Sequence, residues 1–239
     1  MSGNFVYNRV LLKLSGETLK GGLDHGYDAE AVKAVVGRIK PLVDNGLEVA
    51  IVVGAGNLWR GVMGAGSGME PVTCDHMGML ATMMNALCLR DFFNAAGLTA
   101  EVYGAAAYGT VIPAFDRTRA IRDLEAGKVV IFAGGTGSPF FTTDTTAALR
   151  ALETDCEAVL KATKVDGVYS ADPFKDPHAT RYATLSFEDA LTKQLKVMDA
   201  AAFSLCREHD LPIVVFNFFD TGSLERVVAG DAAAGTVVR

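Results

Sequence analysis

Three cations and one carboxylate stand where a chain rarely leaves a charge. Lys13 lies between Leu12 and Leu14 near the end of an apolar run, Lys161 follows Ala158, Val159 and Leu160, and Arg60 comes just after a glycine-rich turn. A lysine that ends an apolar strand needs a way out to solvent or an anionic partner, because an unpaired buried charge is costly. Both readings are open for Lys13 and Lys161. Asp144 closes the run Phe140, Phe141, Thr142, Thr143, Asp144, at the first turn of a predicted helix. A carboxylate there either complements the helix dipole or orders the lysines or a Mg²⁺. Cations gathered at one edge would make a positive pocket in an acidic protein, as phosphoryl transfer requires.

The loops around these residues are rich in glycine. The chain has 25 glycines in 239 residues, about 10% against a usual ~7%, and the excess follows the apolar runs. Ser15-Gly16 follows residues 10–14, Gly54-Ala55-Gly56-Asn57 follows 49–53, and Gly134-Gly135-Thr136-Gly137-Ser138 follows 129–133. Such turns present consecutive backbone N–H groups, which suit anionic oxygens. One of them is as easily a plain tight turn. Three at the same edge of a parallel sheet point to a ligand site. There is no GxxxxGK[ST], so a P-loop is excluded and the lysine must come from elsewhere in the fold. Val165-Asp166-Gly167-Val168 reads as a hairpin turn, and Tyr169 and Asp172 just beyond it could equally line a base and a ribose.

These residues must be positioned by short β-branched runs alternating with longer amphipathic stretches, the pattern of a mainly parallel sheet between helices. Strands are predicted over 9–14, 47–53, 99–103, 128–133, 158–161 and 212–217. Asp28 can cap a helix carrying Val32, Val35, Ile39, Leu42 and Val43 inward, and Gly46 ends it. A second helix is predicted from about Asp75 to Ala96, with Met77, Leu80, Met83, Met84 and Leu87 assigned to the core. Helices over 142–152 and 198–208 follow, and Ser186 with Asp189 opens a short one. Residues 21–26 and 64–68 are glycine-rich polar stretches expected to be mobile. No repeat or linker interrupts the chain, so one domain spanning residues 1–239 is expected.

Composition narrows the function. The formal net charge is −6, from 22 basic and 28 acidic side chains, which argues against nucleic acid as the partner. Half the residues are hydrophobic and 21% charged, so the chain folds. No apolar run approaches the ~18 residues of a membrane span, and the N-terminal stretch lacks the features of a secretion signal. A cytoplasmic protein that avoids membranes is the expectation. Cys74, Cys88, Cys156 and Cys206 form no CxxC pair and read as buried apolar side chains. His25, His76, His178 and His209 lack zinc spacing, so any metal should arrive with a phosphate.

The motifs together resemble the bacterial UMP kinases, within the amino acid kinase family. The likeness runs from Arg9 to about Val238 and rests on KLSGE from Lys13, GAGNLWRG from Gly54 to Gly61, DHMGMLATMMN from Asp75 to Asn85, TGSPFFTTD from Thr136, LKATKVDGVYSADP from Leu160 and KVMDAAAF from Lys196 to Phe203. KLSGE and the glycine loop indicate only the broad family, whereas DHMGMLAT and TGSPFFTTD point to UMP. The resemblance implies a three-layer α/β/α sandwich on a mostly parallel sheet of about eight strands, with UMP toward the N-terminal half and ATP toward the C-terminal half. It places Lys13, Leu14, Ser15, Gly16, Gly56 and Arg60 at the ATP phosphates and Thr163, Tyr169 and Asp172 at its nucleoside. It places Ala55, Asp75, Thr136, Gly137, Ser138, Pro139, Phe140, Phe141, Thr142 and Thr143 at UMP. It further implies a homohexamer, GTP as activator and UTP as inhibitor. Two residues depart from the family pattern: Ala55 replaces a glycine and Ser138 an asparagine.

The reading that follows is an ATP-dependent UMP phosphotransferase, with Mg²⁺ carried on ATP. Lys13 and Lys161 would stabilise the transferring phosphoryl group, Arg60 would brace the phosphates and Asp144 would order the lysines. Another small-acid kinase of this fold would need a different acceptor site. A non-catalytic nucleotide- or oxyanion-binding protein of this fold could dispense with the lysines.

Overall fold

The computed structural model describes residues 4–60, 66 and 68–239; Gly61 and most of the 64–68 stretch lie outside the described residues. The strands are β1 (Arg9–Leu14), β2 (Glu48–Val53), β3 (Ala100–Gly104), β4 (Val129–Ala133), β5 (Ala158–Thr163), β6 (Thr184–Leu185), β7 (Ile213–Asn217) and β8 (Thr236–Val238). They form one eight-stranded sheet in the order β3-β4-β2-β1-β5-β7-β8-β6. All neighbours are parallel except β7 and β8. β1 therefore sits in mid-sheet, with the C-terminal ends of β2 and β5 beside its own. That is the edge where the glycine-rich loops emerge.

The helices are α1 (Ala29–Asp44), α2 (Pro71–Ala95), α3 (Arg117–Glu125), α4 (Thr143–Glu153), α5 (Phe187–Thr192), α6 (Ala200–Glu208) and α7 (Ser223–Val228). They cover both faces, and the period of two along β1 sorts its side chains between them. Val10, Leu12 and Leu14 join the core under α1, α2 and α7, whereas Leu11 joins the core under α3, α4, α5 and α6. Lys13 follows Leu11 to the second face, toward α4. Among the described residues no helix is long and apolar enough to cross a membrane.

Local chemistry sets the helix ends. Asp28 accepts from the Glu30 and Ala31 amides to start α1, and Gly46, at φ +94°, lies just past its end, a backbone geometry that suits glycine. Pro71 opens α2 four residues before the predicted start, as a proline at the first helical position does. Ser186 caps α5 by accepting from the Asp189 amide. The 165–168 stretch forms bends and not a two-strand hairpin; the nearest antiparallel pairing is a single bridge between Tyr169 and Arg181. At the end of the 21–26 stretch, Gly26 exchanges two hydrogen bonds with Asn57.

The buried face of α2 is not the one that its methionines and leucines suggest. Met83 and Leu87 pack half-buried against the core, but Leu80 and Met84 are 53% and 54% exposed. The face turned inward carries Ala81, Thr82, Asn85, Ala86, Leu89 and Phe93. Small alanines let the helix approach closely, and Thr82 and Asn85 find hydrogen-bond partners in the glycine loops. Apolarity alone does not choose the buried face when buried polar groups are satisfied.

Candidate active site

Lys13 and Lys161 are register partners across the β1–β5 ladder. Their side chains leave the same face of the sheet and meet one carboxylate. Lys13 Nζ lies 2.9 Å from Asp144 Oδ1, an ion contact without hydrogen-bond alignment, and Lys161 Nζ donates to Oδ2 at 2.7 Å. Lys161 also donates to the Val197 carbonyl at 2.6 Å. Asp144 occupies the first turn of α4 because Thr142 caps that helix, its hydroxyl accepting from the Asp144 amide at 3.0 Å. Burial pushes the Asp144 carboxyl up, but Lys13 and Lys161 together outweigh it and hold the group below the ordinary value of 3.8. The centre thus sets one ionised carboxylate between two basic side chains.

Thr142 is itself anchored from the C-terminal half. Its hydroxyl donates to Asp199 Oδ2, Thr145 donates to the same carboxylate, and Asp199 also caps α6 through the Ala202 amide. Neither Asp199 nor the Val197 carbonyl was singled out from sequence, although both lie in the KVMDAAAF segment.

The two loops after β1 and β2 fit closely together. A Cβ on Gly16 would lie 2.4 Å from the Gly54 carbonyl oxygen and 2.8 Å from the Gly56 nitrogen, so only glycine allows this approach. Ala55 is absent from the residues of positive φ; its Cβ therefore carries no left-handed strain. In the third loop Gly134, Gly135 and Gly137 all adopt positive φ, as does Phe140 at +70°.

Two cavities flank the lysine–aspartate centre. One, of about 510 Å³, is lined by Lys161, Thr163, Tyr169, Asp172 and the 193–197 segment. The other, of about 350 Å³, is lined by Ala55, Asp75, Thr136, Phe141, Thr142 and Thr143, and also by Trp59, Met79 and Thr82. Trp59 is fixed there by donating its indole N–H to the Cys74 carbonyl at 2.9 Å. Asp75 Oδ2 accepts from the Phe140 amide at 2.8 Å.

Other expected site residues lie elsewhere. Gly137, Ser138, Pro139 and Phe140 do not line the second cavity, and the Phe140 ring is 77% exposed. The Leu14 side chain belongs to the core. Arg60 reaches neither cavity and pairs with Glu17, which also faces Lys164 at 3.3 Å. Among the described residues no three acidic, histidine or cysteine side chains converge as a metal cage.

The amino acid kinase family model matches residues 8–217. The chain is similar to the UMP kinase of Bacillus anthracis at 36% identity and a TM-score of 0.94, over 98% of this chain and 96% of that one. It is similar to the UMP kinase of Ureaplasma parvum at 34% identity and a TM-score of 0.90, over 97% and 98%. Against the uridylate kinase of Archaeoglobus fulgidus the identity is 28% and the TM-score 0.74, over 96% and 99%.

Proposed function

The chain belongs to the amino acid kinase family and is a kinase, and from that premise we propose that it transfers the terminal phosphoryl group of ATP to the phosphate of UMP, giving UDP and ADP. The observation that carries this reading is the Lys13–Asp144–Lys161 centre standing between two cavities. Lys161 reaches into the larger cavity, and Thr142 and Thr143, beside Asp144, line the smaller. The larger cavity takes the ATP nucleoside against Tyr169 and Asp172; the smaller takes UMP against Ala55, Asp75 and the threonines.

A non-bridging oxygen of the UMP phosphate attacks the terminal phosphorus, and the bond from that phosphorus to the bridging oxygen breaks, leaving its electrons on ADP. A phosphate oxygen is already ionised near neutral pH, so no general base is needed, and catalysis rests on positioning and charge neutralisation. Lys13 and Lys161 neutralise charge on the transferring group from one side. The Gly16 and Gly56 amides grip it from the other. Asp144 holds both lysines in place without removing their net positive charge. Arg60 joins the phosphates by exchanging Glu17 for them. Mg²⁺, when present, neutralises phosphate charge; with both Asp144 oxygens engaged by lysines, it would be held by ATP oxygens and not by the chain.

On the family resemblance alone we extend the proposal to a homohexamer activated by GTP and inhibited by UTP. ADP release measured with UMP, CMP, carbamate and acetylglutamate tests the assignment. Turnover of UMP alone among these is expected; an inert UMP alongside turnover of another acceptor would overturn it.

A further inference from the structure

Asn57 and Asn85 are 2% and 0% exposed, and each uses both hydrogens of its side-chain amide inside the protein. Asn85 Nδ2 donates to the Gly54 carbonyl and to Asn57 Oδ1, both at 2.7 Å. Asn57 Nδ2 donates to Asn85 Oδ1 at 3.0 Å and to the Gly26 carbonyl at 3.1 Å. The two backbone carbonyls can only accept, so they fix which way each amide points. Nothing in the pair is left unsatisfied.

The atoms that Asn85 holds are the ones against which the neighbouring loop is seated. The Gly54 carbonyl oxygen and Asn57 Oδ1 are the two atoms nearest to a Cβ built on Gly16, at 2.4 and 2.6 Å, followed by the Gly56 nitrogen at 2.8 Å. A shift of the Gly54 carbonyl would therefore change the spacing of the Gly16 and Gly56 amides. Asn85 itself lines neither cavity. One turn earlier on the same face of α2, the Thr82 hydroxyl accepts from the Gly134 amide at 2.9 Å, so this helix pins two glycine loops while Asp75 and Met79 wall the acceptor cavity.

We propose that Asn85 is a positioning residue for phosphoryl transfer: from the helix of the acceptor cavity, and without touching either nucleotide, it holds the 54–57 loop against Gly16 so that the two loop amides converge on the transferring group. The inference rests on the transfer reaction proposed above. If Asn85 served only to fill the core, an apolar side chain would do so without a buried amide to satisfy. A misplacement of about 1 Å at the reacting centre is enough for a ~10²-fold loss of rate.

The test compares Asn85→Ala and Asn85→Asp with Leu89→Ala in the full chain. Leu89 is fully buried on the same helix face, within the apolar core. Asn85→Asp keeps the shape of the side chain but replaces Nδ2 with a carboxylate oxygen that faces the Gly54 carbonyl and Asn57 Oδ1, and it is the variant to read if Asn85→Ala does not fold. For the Asn85 variants, kcat with UMP and ATP should fall at least ~10-fold while the calorimetric Kd for UMP stays within about threefold of wild type. Leu89→Ala should lower Tm and leave kcat at 20 °C near normal. Retention of kcat by an assayable Asn85 variant, or a loss of kcat that Leu89→Ala matches at equal Tm, would overturn the proposal. Wild type without UMP turnover would instead sink the assignment of function, so the two failures are distinct.

Discussion

Lys13 and Lys161 lie opposite each other in adjacent parallel strands, 148 residues apart in sequence, and share one carboxylate. Their spacing is set by the ladder and their direction by the period of the strands, while α4 supplies Asp144 from above. Two like charges stay side by side because the third group lies between them.

Removing either lysine should therefore act mainly on the reaction. Lys13→Ala and Lys161→Ala are each expected to lower kcat by roughly 10²-fold or more, the usual cost of one transition-state donor. Asp144 keeps a cationic partner in both variants, so folding should survive. Near-normal kcat at saturating substrates would remove the residue concerned from the mechanism.

Gly16 offers a steric test of the two-loop contact. The Cβ of Gly16→Ala would meet backbone at 2.4 and 2.8 Å, and backbone cannot swing aside as a flexible side chain can. The variant should lose about 1–3 kcal/mol of stability and most of its kcat. Thermal melts and steady-state kinetics equal to wild type would show that the loops are not in contact.

Ala55 leads to the opposite expectation. Its backbone avoids the left-handed region, so the Cβ stores no strain of the ~1 kcal/mol kind that a positive φ would bring. Ala55→Gly should shift KM for UMP only a few-fold. A large rate gain would show that the methyl group obstructs the acceptor.

The acid limb of the pH profile should belong to the substrate. Asp144 ionises in the folded protein below 3.8, so its contribution to stability is complete above that value and is lost only as pH falls further, through the folded pKa. The stability gap between wild type and Asp144→Asn should stay constant from neutral pH to about pH 4.5 and shrink beneath it. By contrast, kcat/KM for UMP should fall below about pH 6, where the phosphate takes up its second proton. A stability gap that closes near pH 6 would contradict the assigned ion pairs.

Much of this was legible in the sequence, and the exceptions have physical reasons. β1 is predicted over its whole observed length, and β2, β3, β4 and β7 to within a residue or two, because buried parallel strands are continuous apolar runs. β6 and β8, of two and three residues, carry no period of their own; each exists because it pairs with a neighbour. Lys13, Lys161 and Asp144 were recognisable as misplaced charges, but their convergence depends on a long-range register that no local pattern encodes. Arg60 is paired with Glu17 outside both cavities, an ion pair across 43 residues that no local pattern encodes. Asn85 closes the DHMGMLATMMN motif, but its role is not legible there, because a buried asparagine on a methionine-rich helix declares itself only through its partners.

Selectivity tests function more sharply than fold. A threonine hydroxyl that can rotate will donate or accept as a ligand demands, and so discriminates poorly. In the acceptor cavity three of the four threonines are not free to do so: Thr142 donates its hydrogen to Asp199, Thr136 to the Ser138 carbonyl and Thr82 to the Met79 carbonyl. Toward a ligand they can only accept. Uracil offers a donor at N3, where cytosine offers a lone pair, and beside it a carbonyl where cytosine carries an amine. Hydroxyls that can only accept pair with the N3 hydrogen of uracil and face a lone pair at that position of cytosine, leaving buried polar groups without a partner. We expect kcat/KM for UMP to exceed that for CMP by about 10²-fold, as loss of such a contact implies. Asp75 has one oxygen on the Phe140 amide, which leaves the other for a ribose hydroxyl, so dUMP should also be disfavoured. Equal turnover of CMP and UMP would sink the substrate assignment and leave the kinase fold untouched.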